Sequence, residues 1–200
     1  FKTDSLNKKI IRNKFNFLRK KIYLKNAIIS SVVPKTFNQI KKIFFSLYKV
    51  NCIELKKLNL SKLISIKVNK KEIGSDRLAN AISVMNKKKN FIVVDFGTAT
   101  TFDVIKKNNY LGGVIAPGVN LSLDNLIKKA TLIPNIKLNK SKSIIGKNTK
   151  QAVLSGFFWG YNGLINGIIS KIKKKTNQKY EIIFTGGLAH LFNKDINDKI

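Results

Sequence analysis

Phe91-Ile92-Val93-Val94-Asp95-Phe96-Gly97-Thr98-Ala99-Thr100-Thr101-Phe102-Asp103-Val104-Ile105 decides how this chain is read. An apolar run enters an acidic turn rich in glycine and hydroxyls, and an apolar strand resumes after it, which predicts strand, turn, strand. Gly97 lets the backbone bend where a side chain would block a ligand, and neighbouring N–H groups can converge on an anion. Thr98, Thr100 and Thr101 add hydroxyl donors. Asp95 is the one group that a phosphate alone would repel. A carboxylate at such a turn makes sense mainly if a cation lies between the two, as in nucleotide-dependent phosphoryl transfer. A tight hairpin whose threonines merely satisfy backbone groups accounts for the same residues.

Downstream, Asn108-Asn109 suits a second reversal, because asparagine tolerates positive φ, and Tyr110-Leu111-Gly112-Gly113-Val114-Ile115-Ala116-Pro117-Gly118 continues as a strand. Helical spacing then covers Leu121 to Ala130, followed by a loop carrying Pro134 and Ile145-Gly146-Lys147-Asn148-Thr149. From there to Lys171 the pattern is one long apolar helix with Phe157, Phe158, Trp159, Tyr161, Leu164, Ile165 and Ile168 on several faces. That predicts burial all round, which a second copy of the chain would complete. Glu181-Ile182-Ile183-Phe184 is a final strand delivering Thr185-Gly186-Gly187, a glycine turn where a flat ligand can approach the backbone.

Upstream, Ala27 to Val33 reads as a short buried strand stopped by Pro34, and Thr36 to Tyr48 as a helix with Phe37, Ile40, Phe44 and Leu47 on one face. Residues 49–73 read as weak strand and loop. Gly74-Ser75-Asp76-Arg77 opens a helix that Ser75 or Asp76 can cap, with Leu78, Ile82 and Met85 on its buried side. Lys87-Lys88-Lys89 closes it and marks a lobe boundary, giving an N-terminal lobe over 1–89 and a C-terminal lobe over 90–200.

Composition bounds these readings. With 200 residues, 44% of them hydrophobic, the chain can bury a real core. The single cysteine, Cys52, rules out an internal disulfide and fits a reducing compartment, and no apolar run reaches membrane-spanning length, so a cytoplasmic protein without membrane association is expected. A formal charge of +29 points toward nucleic acid. Yet only Arg12, Arg19 and Arg77 of the 39 basic residues are arginines, and lysine lacks the planar fork that reads phosphates and bases. The lysine runs at 87–89 and 173–175 are expected to be solvated helix ends, and no specific nucleic-acid partner is expected. There is no P-loop and no dinucleotide fingerprint, and His190, the sole histidine, is expected at the surface or in a cap.

Asp-Phe-Gly-Thr-Ala-Thr-Thr-Phe-Asp at 95–103, Gly-Ser-Asp-Arg at 74–77, Gly-Gly-Val-Ile-Ala-Pro-Gly at 112–118, Ile-Gly-Lys-Asn-Thr at 145–149 and Thr-Gly-Gly-Leu-Ala at 185–189 together resemble the type III pantothenate kinase family. The resemblance extends to Ile-Ser-Ser-Val-Val-Pro at 29–34. It implies an α/β fold of the actin/Hsp70/sugar-kinase (ribonuclease H-like) type: two related lobes, a nucleotide cleft between them, and a homodimer. The implied reaction moves the γ-phosphate of ATP to the terminal hydroxyl of pantothenate, with Mg²⁺ and a monovalent cation, K⁺ or NH₄⁺. By the same resemblance Asp76 is the proton acceptor, and Gly74, Ser75, Asp76, Arg77 and Thr149 bind pantothenate, Thr149 from the neighbouring subunit. Gly97, Thr98, Gly186 and Gly187 serve ATP, and Asp95 holds the monovalent cation. Arg77 can pair with the substrate carboxylate, or instead with Asp76 or a helix end. Thr149 can equally be the N-cap of the long helix.

Family members begin with a strand ending in an Asp-x-Gly-Asn-Thr type turn that grips ATP phosphates and helps place Mg²⁺, and they usually continue beyond the final glycine turn. The chain runs from Phe1 to Ile200 without that turn, so a fragment is expected, with half of the nucleotide clamp missing. Lys67 stands where many relatives carry a substrate-contacting tyrosine. The same residues also fit a catalytically inactive binding or regulatory factor, or a basic nucleic-acid-binding protein on the same scaffold.

Overall fold

The computed structural model describes residues 7–16, 24 and 26–192. Arg19 and the two chain ends lie outside them. The chain divides into two compact units, Phe1–Ser83 and Val84–Ile200.

In the first unit, helix α1 (Lys8–Lys14) precedes strand β1 (Asn26–Ile29), helix α2 (Pro34–Tyr48) and strand β2 (Asn51–Glu54). A 3-10 turn at Leu55–Lys57, the two-residue strand β3 (Ser65–Ile66) and helix α3 (Ser75–Ser83) complete it. β1 and β2 pair in parallel, Asn26 opposite Asn51 through Ile29 opposite Glu54, as a strand–helix–strand step requires. α2 starts two residues earlier than its apolar spacing suggests, because Pro34 occupies the first helical position, where its missing N–H would have no partner anyway. Its apolar face meets α1 and the strands in a cluster of Ile11, Phe44 and Cys52, with Phe15 edge-on to Phe44 at 5.0 Å. The predicted buried strand to Val33 is shorter and more open: β1 ends at Ile29, and Ile28 and Val32 are 61% and 59% exposed.

The second unit is built on β4 (Asn90–Phe96), β5 (Ala99–Lys106), β6 (Asn109–Pro117) and β7 (Glu181–Gly186), lying side by side as β6-β5-β4-β7. β5 is antiparallel to both β4 and β6, whereas β7 is parallel to β4, so the sheet is mixed and β4, β6 and β7 all end at one edge. Helices α4 (Val119–Lys129), α5 (Thr149–Thr176) and α6 (Ala189–Phe192) accompany it. Phe158 and Ile165 of α5 pack with Phe96, Phe102 and Phe192 in a core whose enclosed aromatic and branched side chains each contribute about 1.5–3 kcal/mol.

One local reading is corrected. The reversal between β5 and β6 takes its positive φ at Lys107 (55°), not at the paired asparagines; Asn109 instead donates its side-chain amide to the Lys106 carbonyl. Within the single chain, α5 is buried along one stripe. Phe158, Ile165 and Ile169 are enclosed, whereas Trp159 is 37% exposed and Gly156, Gly160, Gly163 and Gly167 meet nothing within 4 Å of a β-carbon.

Candidate functional site

The Gly74–Arg77 segment forms the start of α3. Gly74 opens the helix by accepting the Leu78 N–H at 3.1 Å. A β-carbon on Gly74 would stand 2.3 Å from Asp76 Oδ1 and 3.3 Å from Val32 Cγ1, so the Asp76 carboxylate lies folded over bare glycine backbone. Asp76 is exposed, and its Oδ1 accepts the Arg77 N–H at 2.8 Å. Ser75 does not cap the helix, because it is itself helical and buried and its hydroxyl donates to Glu54 Oε1; of the two, it is Asp76 that accepts a first-turn N–H. Arg77 is half-buried.

Beside this turn is a cavity of about 650 Å³ at the carboxyl ends of β1 and β2 and the starts of α2 and α3. Ser31, Asn38, Glu54, Lys56, Gly74 and Ser75 are among its lining residues. A crevice past the carboxyl ends of parallel strands, faced by helix N-termini, is where α/β units hold polar ligands. The sequence reading missed Glu54. Its signal was a carboxylate closing an apolar strand in a chain with only 10 acidic residues.

In the second unit the carboxyl edge of the sheet gathers the other predicted residues. Asp95 lies opposite Thr185 and Phe96 opposite Gly186, while the two-residue turn Gly97-Thr98 joins β4 to β5. Gly186 has φ +89° and packs on Asp95, where a β-carbon would come 2.5 Å from Oδ1. Gly118, the N-cap position of α4, backs the hairpin: its β-carbon would be 1.9 Å from the Thr98 carbonyl oxygen. Tyr161 of α5 braces this junction by donating to Ser122 at 2.8 Å. Asp95, Gly97, Thr98, Gly118 and Gly186 therefore converge, and Gly187 follows at the strand end.

The hairpin differs in detail from its sequence reading. The Gly97 N–H is used within the turn, donating to the Ala99 carbonyl at 3.1 Å. Of the three threonines, Thr98 is exposed and Thr101 half-buried, but Thr100 is fully enclosed and its hydroxyl has no partner among the described residues. Thr100 shares the core face with Phe102 and Val104, since alternate residues of a strand point the same way. It is not placed to serve a ligand.

Thr149 is the exposed first residue of α5. The cap of α5 is Asn148, whose side chain accepts the Gln151 N–H at 2.9 Å while Gln151 accepts the Lys147 N–H at 2.9 Å. His190 is exposed on α6. Among the described residues no three histidine, cysteine, aspartate or glutamate side chains cluster to hold a metal, and no helix is long and apolar enough to cross a membrane.

The architecture defines an α/β protein with a mixed sheet, and the solved structure of a protein from Campylobacter jejuni, described as a conserved Baf family transcriptional activator, shares that fold. The two align with a TM-score of 0.60 at 20% identity, over 92% of this chain and 78% of that one. The family model for type III pantothenate kinase matches residues 2–171. A type III pantothenate kinase of Pelagibacter ubique (strain HTCC1062) is 57% identical over 200 residues, which cover 98% of this chain and 81% of the relative. Another from Paramagnetospirillum magneticum is 40% identical over 169 residues, 83% of this chain and 65% of the relative. The chain belongs to the type III pantothenate kinase family, whose members are transferases of coenzyme A biosynthesis.

Proposed function

We propose that this protein transfers the γ-phosphate of ATP to the terminal hydroxyl of pantothenate, with Asp76 as the proton acceptor. The observation that carries the reading is the exposed Asp76 carboxylate, folded over Gly74 at the first turn of α3, next to the cavity that Gly74 and Ser75 line. A primary alcohol must lose its proton as its oxygen bonds to phosphorus and the bond to ADP breaks. A carboxylate takes that proton late in a loose transition state. Gly74 and Ser75 form the wall against which pantothenate lies, and Arg77 pairs with its carboxylate.

ATP phosphates lie at the edge formed by Gly97, Thr98, Gly186 and Gly187, in the two-lobed actin/Hsp70/sugar-kinase arrangement that the family resemblance implies. Gly186 leaves the backbone bare beside Asp95, where a cation is needed for phosphate to approach. One half-buried carboxylate, with no cluster of metal-ligating side chains among the described residues, suits a monovalent ion, K⁺ or NH₄⁺, better than a tightly caged divalent one. Mg²⁺, which characteristically keeps waters and phosphate ligands, would neutralise charge on the transferring group.

Gly156, Gly160, Gly163 and Gly167 leave a bare line along α5 beside half-exposed Trp159, which supports a homodimer through this helix and Thr149 reaching the partner's substrate. Cytoplasmic placement follows from where such a kinase finds its ATP.

The test is coupled ADP release by the full-length protein with and without pantothenate. Asp76→Asn should lower kcat by about 100-fold or more while the protein stays folded. Pantothenate-independent turnover, or unchanged turnover in the variant, overturns the proposal. Sedimentation at twice the subunit mass is the expected result for the dimer.

A further inference from the structure

Glu54 is the last residue of β2, held opposite Ile29 of β1. Its Oε1 accepts the Ser75 hydroxyl and also the Lys56 N–H at 3.4 Å, which closes the 3-10 turn after the strand. Ser75 is 1% exposed, so its hydroxyl is committed to the strand end rather than to solvent. The next residue is Asp76, with its carboxylate over Gly74. One side-chain bond thus ties a rigid strand terminus to the first turn of the helix that carries the proposed base.

We propose that Glu54 is a positioning residue: by accepting the Ser75 hydroxyl it sets the rotation of the first turn of α3, and with it the aim of the Asp76 carboxylate and the Gly74 backbone. This role rests on the reading of Asp76 as proton acceptor. What it requires of Glu54 is an oxygen acceptor at the right reach, not a negative charge. A helix turn left free to rotate misplaces both the base and the wall against which pantothenate lies, and catalysis falls steeply with such displacement.

Steady-state kinetics of the full-length protein test this with paired substitutions. Glu54→Gln keeps an acceptor at the same reach and should hold kcat/KM for pantothenate within about threefold of the parent. Glu54→Asp keeps the charge but withdraws the acceptor by one methylene, and should lower kcat/KM for pantothenate by about 10- to 100-fold. Its KM for pantothenate should rise as kcat falls, while KM for ATP stays constant. A variant that is only less stable would scale kcat and leave both KM values alone. Ser75→Ala should lower kcat/KM for pantothenate in the same direction as Glu54→Ala, and the double variant should be no worse than Glu54→Ala, because the Ser75–Glu54 bond is common to both while Glu54→Ala also removes the longer Lys56 N–H contact. Where the alanine variants do not fold, the Gln/Asp pair decides alone.

Parent-like Glu54→Asp, loss in Glu54→Gln as large as in Glu54→Asp, or losses that multiply in the double variant each overturn the positioning role. If the parent turns over pantothenate and Asp76→Asn does not, a flat Glu54 series refutes this role and leaves the kinase reading standing. If the parent shows no pantothenate-dependent turnover, both fall together.

Discussion

Gly186 sits so close to Asp95 that a β-carbon built on it would stand 2.5 Å from the carboxylate Oδ1 and 2.6 Å from the Phe96 nitrogen. Its φ of +89° is also one that side chains rarely adopt. Gly186→Ala should therefore cost about 1–3 kcal/mol of stability, read as a fall in Tm. Gly97→Ala, which would meet nothing closer than the Ala99 carbonyl at 3.6 Å, should leave Tm nearly unchanged. Equal Tm values for the two variants would refute this account of the edge.

Capping of the long helix separates two neighbouring residues that sequence alone leaves interchangeable. Asn148→Ala removes the side-chain acceptor of the Gln151 N–H and should destabilise the protein by about 0.5–2 kcal/mol in denaturant unfolding. Thr149→Ala removes no such bond and should change stability by less than about 0.5 kcal/mol. On the proposed substrate role, its effect appears as a higher KM for pantothenate. The opposite ranking in unfolding would make Thr149 the cap.

Tyr110 donates its hydroxyl to Asp103 Oδ1 at 2.8 Å, with both residues fully enclosed. Tyr110→Phe keeps the ring but withdraws a donor from a buried carboxylate. A loss of about 1–3 kcal/mol is expected in equilibrium unfolding. A variant as stable as the parent would show that this bond contributes nothing net.

Cys52 lies in the small apolar cluster of the first unit, and burial pushes its thiol pKa above the ordinary 9.0, partly opposed by the Lys41 ammonium. A pKa raised in the folded state means that the folded chain holds the proton more tightly than the unfolded one. Its contribution is therefore fully present below pH 9.0 and is lost as pH rises through the higher folded value. Native protein should alkylate slowly with iodoacetamide at neutral pH and rapidly once unfolded. Rapid alkylation of the native thiol would contradict the burial described for it.

Residues whose conformation depends on near neighbours were legible in the chain itself. The Asp95–Asp103 hairpin, the helix opening at Gly74–Arg77 and the glycine turn after Phe184 all follow from turn chemistry and short-range apolar spacing. The same local words carry the family, whose model matches residues 2–171. The readings that failed depended on what packs against each face. Three threonines follow Gly97 in similar chemistry, yet Thr100 faces the core and Thr98 does not, because the packing of Phe102 and Val104 against the α5 core decides which strand face is wet.

What the order of residues determined without coordinates is the kinase family and the two carboxylates, Asp76 and Asp95, around which its chemistry is read. Only the folded chain revealed that Glu54 reaches Ser75 across 21 residues and that Gly118 backs the turn at Thr98. Local propensity acts over one or two turns. Contacts between distant segments depend instead on how strands register and helices dock, which neighbouring residues do not encode.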